Sequence, residues 1–505
     1  PTLARTIRLF QEKGDFALNR SALLFGLSLG APLVALCIGA PTAWADDTAT
    51  AATTHGGGVA VSVNGHNLGI GNSSATTTKG SHSIAIAING SSATAEGNRN
   101  LAVAINGSTA YAGGGTNNRA IAINGSTATA SGGNNNYARA TNHSDAYAGG
   151  SGYLGGNGNT AIARGACPQG VVCTRSIAAA RRGDDNTAVV KGNGSSAIAS
   201  GGSNIKATVI GDNSGATNID TGSNNTYLVV GNNSSATSKG SKTTSIVIGD
   251  NSEAASGSGS GNYVRVVGDD STGFGGYGSG NRTVVVGDGS QATAHGDNAS
   301  ATAKGDGSYA DANGVNNTAV AVGDGSTALA NGGDNNTAST YGAAGFASAV
   351  GDGNTALAKG PGSEASAEGT NNSATAIGQL SGALAGGDHN TATVYGDGSL
   401  ATAQIGAGNT ATVHGDESTS YAGVGNDNTA VVHGDRSTAI AGTTTGPFTA
   451  NMGGDNNTAI VRGDDSTALA GGTDELAGNQ NVAQANADNL TAEATGGDHV
   501  VVIMP

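Results

Sequence analysis

Aspartates recur in this sequence at a spacing that would align them. Asp250, Asp269, Asp288, Asp306 and Asp324 follow one another at 18 or 19 residues, and Asp397, Asp416, Asp435 and Asp464 extend the series. If each interval is one turn of a coiled chain, the carboxylates stack about 4.8 Å apart. Like charges at that separation repel by roughly 0.9 kcal/mol per pair in water. Cations would relieve such a column, so it could gather them along one edge. The plainer role for Asp beside Gly is to accept hydrogen bonds from turn amides. Tyr395, His414 and His433 share another repeat position. Stacked, they could hold a metal or a sugar ring, or form an ordinary surface ladder.

Other chemistry is sparse. The chain carries no nucleophile elbow, phosphate loop or zinc-helix motif, so no catalytic residue is expected. Its Gly-rich runs follow the repeat and carry no phosphate signal. A β-helix enzyme acting on polysaccharide would gather acids on one sheet face; the sequence reads as placing them in turns. Cys167 and Cys173 flank Pro168 to Val172. An even count in an exported chain predicts one disulfide between them. Two thiols without a nearby His do not complete a tetrahedral metal shell.

The element that must position these residues is a repeat. Residues 323–340 read GDGSTALAN and GGDNNTAST, two variants of a nonamer G-x-x-[S/N]-x-A-x-[A/V]-x. Marker glycines recur at Gly211, Gly231, Gly249, Gly268, Gly287, Gly305, Gly323, Gly342, Gly360, Gly378, Gly396, Gly415 and Gly434. Gly opens a turn and supplies φ > 0; Asp, Asn and Ser continue it. Alternating Thr, Ala and Val then form a strand with two distinct faces. A helix is excluded, because Gly every nine residues costs about 1 kcal/mol each and no 3.6 period exists. Two nonamers make an 18–19-residue coil. The expected fold is therefore all-β: a parallel β-solenoid over residues 60–505, with roughly 24 coils at about 4.8 Å spacing. An irregular Cys/Arg loop is expected at 164–182 and an insertion at 442–453.

The N-terminus reads as a leader. Basic residues precede an apolar run, Ala22 to Ala40, and Ala43-Trp44-Ala45 is a cleavage signal. Residues 1–45 form the signal peptide and 46–59 a linker or cap. Removing residues 1–45 leaves 18 Lys and Arg against 35 Asp and Glu. So acidic a chain repels nucleic acid.

Two arrangements of the early coils are open. Ile84, Ile86, Ile88, Leu101, Val103, Ile105, Ile121 and Ile123 alternate with Ala. With Ala inside, an aliphatic stripe faces outward and marks a self-association surface. With Ile inside, it fills the core against Ala of the other sheet.

The segment Asn316 to Gly332, NNTAVAVGDGSTALANG, resembles the head repeats of trimeric autotransporter adhesins, and Asn118 to Ala130 repeats the likeness. The resemblance implies a β-roll on a bacterial surface, a homo-oligomer with trimer as one form, and a host or environmental ligand. The period here is 18–19 residues against 14–15 in that family, and neither its heptad stalk nor its barrel anchor is recognised. The paired nonamer also looks like calcium β-rolls of repeats-in-toxin proteins. One Asp per turn is a thin oxygen supply for calcium. The expectation is a secreted or cell-surface structural or adhesive rod without cofactor. A calcium-binding, ice-binding or glycan-binding solenoid is the alternative, the last two resting on the recurrent Thr that opens each strand.

Overall fold

The computed structural model describes residues 57–150, 155–165, 174–218, 222–443, 453–472 and 477–505. The chain divides into two compact units, residues 1–50 and 51–505, and the described residues all belong to the second. Cys167, Cys173, the leader and most of the 442–453 insertion lie outside the described residues.

The described chain is all-β. It coils as a parallel solenoid of two sheets, with successive strands alternating between them. Sheet 1 runs through Ile84–Ile88, Leu101–Ile105, Arg119–Ile123 and onward to Val501–Met504. Sheet 2 starts at Ser74–Thr77 and runs to Thr491–Thr495. Each holds 22 parallel strands among the described residues, about 21 turns of roughly 19 residues. That is fewer than the 24 coils expected from length. One reason lies at the N-terminal end. There Val59–Val63 and His66–Ile70 form an antiparallel hairpin, and Val59–Val63 pairs antiparallel with Ile84–Ile88. The hairpin covers the first parallel edge, a usual protection against edge pairing. The other reason is insertions. Matching positions of successive coils lie 17–20 residues apart in regular turns. They lie 23 and 27 apart before Asn159 and Asn186, and 29 and 24 apart before Asn457 and Asn481. Register resumes after each. Around the Cys/Arg segment, Thr160–Arg164 and Ser176–Arg181 are full strands, so Arg164 and Arg181 sit in sheets rather than in a loop.

Alternation decides which side chains enter the core. Strand positions two and four are Ala or Val almost throughout, and these side chains are fully buried, as at Ala319, Ala321, Ala328 and Ala330. The small side chains let the two sheets approach closely. Tyr227 is the large exception. It fills an inward position, and its hydroxyl donates to Asn218 Oδ1 at 2.6 Å.

The turns are held by columns that run along the solenoid. The marker glycines stack directly. A Cβ on Gly249 would lie 2.1 Å from the Gly268 carbonyl oxygen, and one on Gly415 would lie 2.1 Å from that of Gly434. The residue before each strand is buried and segregates by sheet: mostly Ser before sheet 2, mostly Asn before sheet 1. Ser252 Oγ donates to the Gly268 carbonyl at 2.7 Å and accepts from the Ser271 amide at 3.1 Å. Asn354 Oδ1 accepts from the Asn372 amide at 2.8 Å, while its Nδ2 donates to the Gly369 carbonyl at 2.6 Å. Each side chain thus satisfies turn groups of the next coil that would otherwise be buried unpaired.

Candidate functional site: the turn edges and the outer sheet faces

The core and turn columns leave two turn edges and two outward sheet faces available to a partner. The Asp series lies on the edge preceding sheet 2. Asp269 Oδ1 accepts from the Asp250 amide at 2.7 Å and Asp288 Oδ1 from the Asp269 amide at 2.9 Å. Asp306 and Asp324 repeat the contact at 3.0 Å each. Each carboxylate therefore caps the turn of the coil before it, and this charge-assisted bond offsets the repulsion along the column. The opposite edge uses the same device, with Asp352 Oδ1 on the Asp334 amide at 2.9 Å. Among the described residues, no three of His, Cys, Asp and Glu converge on one point.

The Tyr/His strip is a true stack. Tyr395 and His414 rings lie 4.9 Å apart at 9°, and His414 and His433 lie 4.9 Å apart at 7°. They end three neighbouring strands of sheet 1 and point outward. Partial burial, then the charges of His414 and Arg462, hold His433 below the ordinary histidine value. A base depressed in the folded state contributes stability that is full above its unfolded pKa and is lost as pH falls through the folded pKa. The C-terminal coils should therefore loosen on acidification below the ordinary histidine range. An NMR titration should find His433 protonating at lower pH than a free histidine, and His414→Gln should raise that midpoint. An unshifted His433 would contradict the stack.

The early aliphatic residues face outward. Ala85, Ala87, Ala102 and Ala104 are fully buried, whereas Ile84, Ile86 and Ile88 are only half-buried. Register joins them to the hairpin, with Ile86 beside Val61 and Val61 beside Leu68. On the other side Val103 and Ile121 continue the row. Leu101 and Val103 are nearly covered, although they point away from the core: Val103 lies between Ile86 and Ile121, and Leu101 between Ile84 and Arg119. The second arrangement considered above, with Ile inside, is thereby excluded. A contiguous aliphatic surface spans five strands.

Beyond that patch the two outer faces differ in charge. In sheet 1, every Lys, Arg, Asp or Glu in a described strand is a cation: Arg119, Arg139, Arg164, Lys191 and Lys206 toward the N-terminus, then Arg265, Arg282, Lys304 and Lys359. None of the nine makes an ion pair among the described residues. In sheet 2 the described strands carry Asp145, Glu253, Asp311, Asp352, Glu364, Glu368, Asp388 and Glu493 against one cation, Arg181, with Asp352 and Asp388 at strand ends that enter the turn. Acids thus lie on a sheet face as well as in turns, contrary to the reading from sequence. They are strung along the whole sheet and are not gathered at one place. Asp145 is paired with Arg175, and the Arg181 guanidinium lies 4.5 Å from the centre of the Tyr147 ring. Outward Thr also forms ladders, as at Thr391, Thr410, Thr429 and Thr458 in sheet 1.

Reading the nonamer alone missed two things. The Ser and Asn columns were visible as an alternation of Ser and Asn at one position, but only the coil assigns each type to its own edge. The charge difference between faces is invisible in a single nonamer, because both nonamers share one pattern. No family model matches this chain, and no curated protein matches it significantly.

Proposed function

We propose that the chain is an exported, non-catalytic structural and adhesive repeat protein that acts at or beyond a bacterial surface. The observation that supports this reading is the outward aliphatic face at the N-terminal coils. It is built on a core of fully buried Ala and Val. Apolar surface that continues across five strands marks a contact region. The leader-like segment before Asp46 supports export. The likeness to adhesin head repeats points the same way. In this reading the Asp columns stabilise turns.

Retention on alkyl-coated beads tests the contact role. The purified chain should be retained, and a variant with Ile86, Ile88 and Ile123 each replaced by Lys should pass through while keeping its β circular dichroism. Equal retention of the variant would remove the face from the function. N-terminal sequencing of chain recovered from the medium should begin at Asp46, and recovery only from cell lysate would count against export.

A further inference from the structure

We propose that the two outer sheet faces are complementary halves of one interface, so that copies of this chain stack side by side with sheet 1 of one against sheet 2 of the next. This rests on the structural reading above and names the partner as a second copy.

The fold does not require the charge imbalance between the two faces. Outward strand positions in both sheets are solvent-facing and tolerate either sign. A chain of net charge −15 nevertheless places nine cations and no carboxylate on the strands of sheet 1, while the described strands of sheet 2 carry eight carboxylates and one cation. The cations have no intramolecular ion-pair partner among the described residues. Burial of a one-signed face costs solvation unless the opposing surface carries the other sign. The surface that does so is the far side of the same molecule.

Position along the axis refines the contact. Five of the nine cations lie between Arg119 and Lys206, whereas the sheet 2 carboxylates other than Asp145 run from Glu253 to Glu493. Matching them shifts the copies along the axis, the N-terminal half of sheet 1 against the C-terminal half of sheet 2. Both faces have the same strand spacing, so rungs of one can follow rungs of the other. About ten spacings of ~4.8 Å and a width of ~18 Å give roughly 900 Å² per partner, close to the ~800 Å² of a stable interface. Two different faces meet, so the contact is heterologous and leaves each copy free to bind another. The product is an open array.

Sedimentation velocity on the purified chain tests this. At about 20 mM salt the weight-average mass should exceed one chain and rise with concentration. Near 1 M salt, where the screening length is ~3 Å, it should fall to one chain. A variant with Arg164→Glu, Lys191→Glu and Lys206→Glu should stay monomeric at low salt, as should one with Glu364→Lys, Glu368→Lys and Glu493→Lys. Mixed, the two should associate, because each now carries the face that the other lacks. Persistent oligomers in either variant alone, or no association of the mixture, would overturn the proposal. So would a wild-type chain that stays monomeric but binds phosphatidylglycerol vesicles through the same three cations, because the occupant would then be an anionic surface. Bead retention through the aliphatic face is unaffected by these charges, so failure here leaves the adhesive reading standing.

Discussion

Gly378→Ala is expected to break the solenoid into two separately melting parts. Gly378 has φ +145°, and a Cβ there would lie 2.2 Å from the Gly396 carbonyl oxygen. That atom is backbone in the next coil, so relief requires the coils to move apart. Alanine also loses roughly 1–2 kcal/mol in a conformation of positive φ. Opening one coil contact adds the strand bonds on both sheets at that step, and the total should exceed about 4 kcal/mol. In a one-dimensional array such a loss is local. Coils on either side keep their own neighbours, and cooperativity fails at the mutated step. A thermal melt should therefore change from one transition to two, with hydrogen-exchange protection falling first in the coils around residues 373–400. A single transition at the wild-type temperature would mean that the marker glycines are conformational conveniences only.

The second large effect is expected from Asn372→Leu, which keeps side-chain volume and removes the hydrogen bonds. Asn372 Nδ2 donates to the Glu368 carbonyl at 2.7 Å and to the Gly387 carbonyl, and its Oδ1 accepts from the Asn390 amide at 2.8 Å. Leucine would strip that partner from all three backbone groups, the Asn390 amide buried and the two carbonyls part-buried. At about 1–3 kcal/mol for each stranded group, the loss should reach roughly 3–5 kcal/mol. The column itself shows that an isolated gap can be carried. Ile205 and Ala299 occupy the equivalent position, fully enclosed and unable to accept. The stabilising contribution therefore comes from neighbouring coils, and the damage should stay within the coils that adjoin the substitution. Denaturant unfolding with hydrogen exchange checks both magnitude and extent. A change below about 1 kcal/mol would show that the turns find other partners.

These two residues mark what was legible in the sequence. Gly378 announced itself through spacing, since only Gly fits where one coil's backbone lies on the next. Asn372 carried a weaker signal, because Ser and Asn both suit turns locally. Nothing in one nonamer says that its polar side chain faces inward.

Period, turn chemistry and alternation determined the all-β class, the 18–19-residue coil and the Ala core, because those features depend on local backbone preference and on the two-residue period of a strand. Local preference does not say which of two alternating faces points inward. The Ile/Ala strands at Ile84–Ile88 were ambiguous for that reason, and close sheet packing decided it by taking the smaller residue. Coil count was likewise a tertiary matter, because a hairpin and four insertions consume chain without adding turns. The tertiary structure alone also sorted the charges. Residues 17–20 apart in sequence become neighbours on one face, and the alternate nonamers, alike on paper, become opposite sides of the molecule.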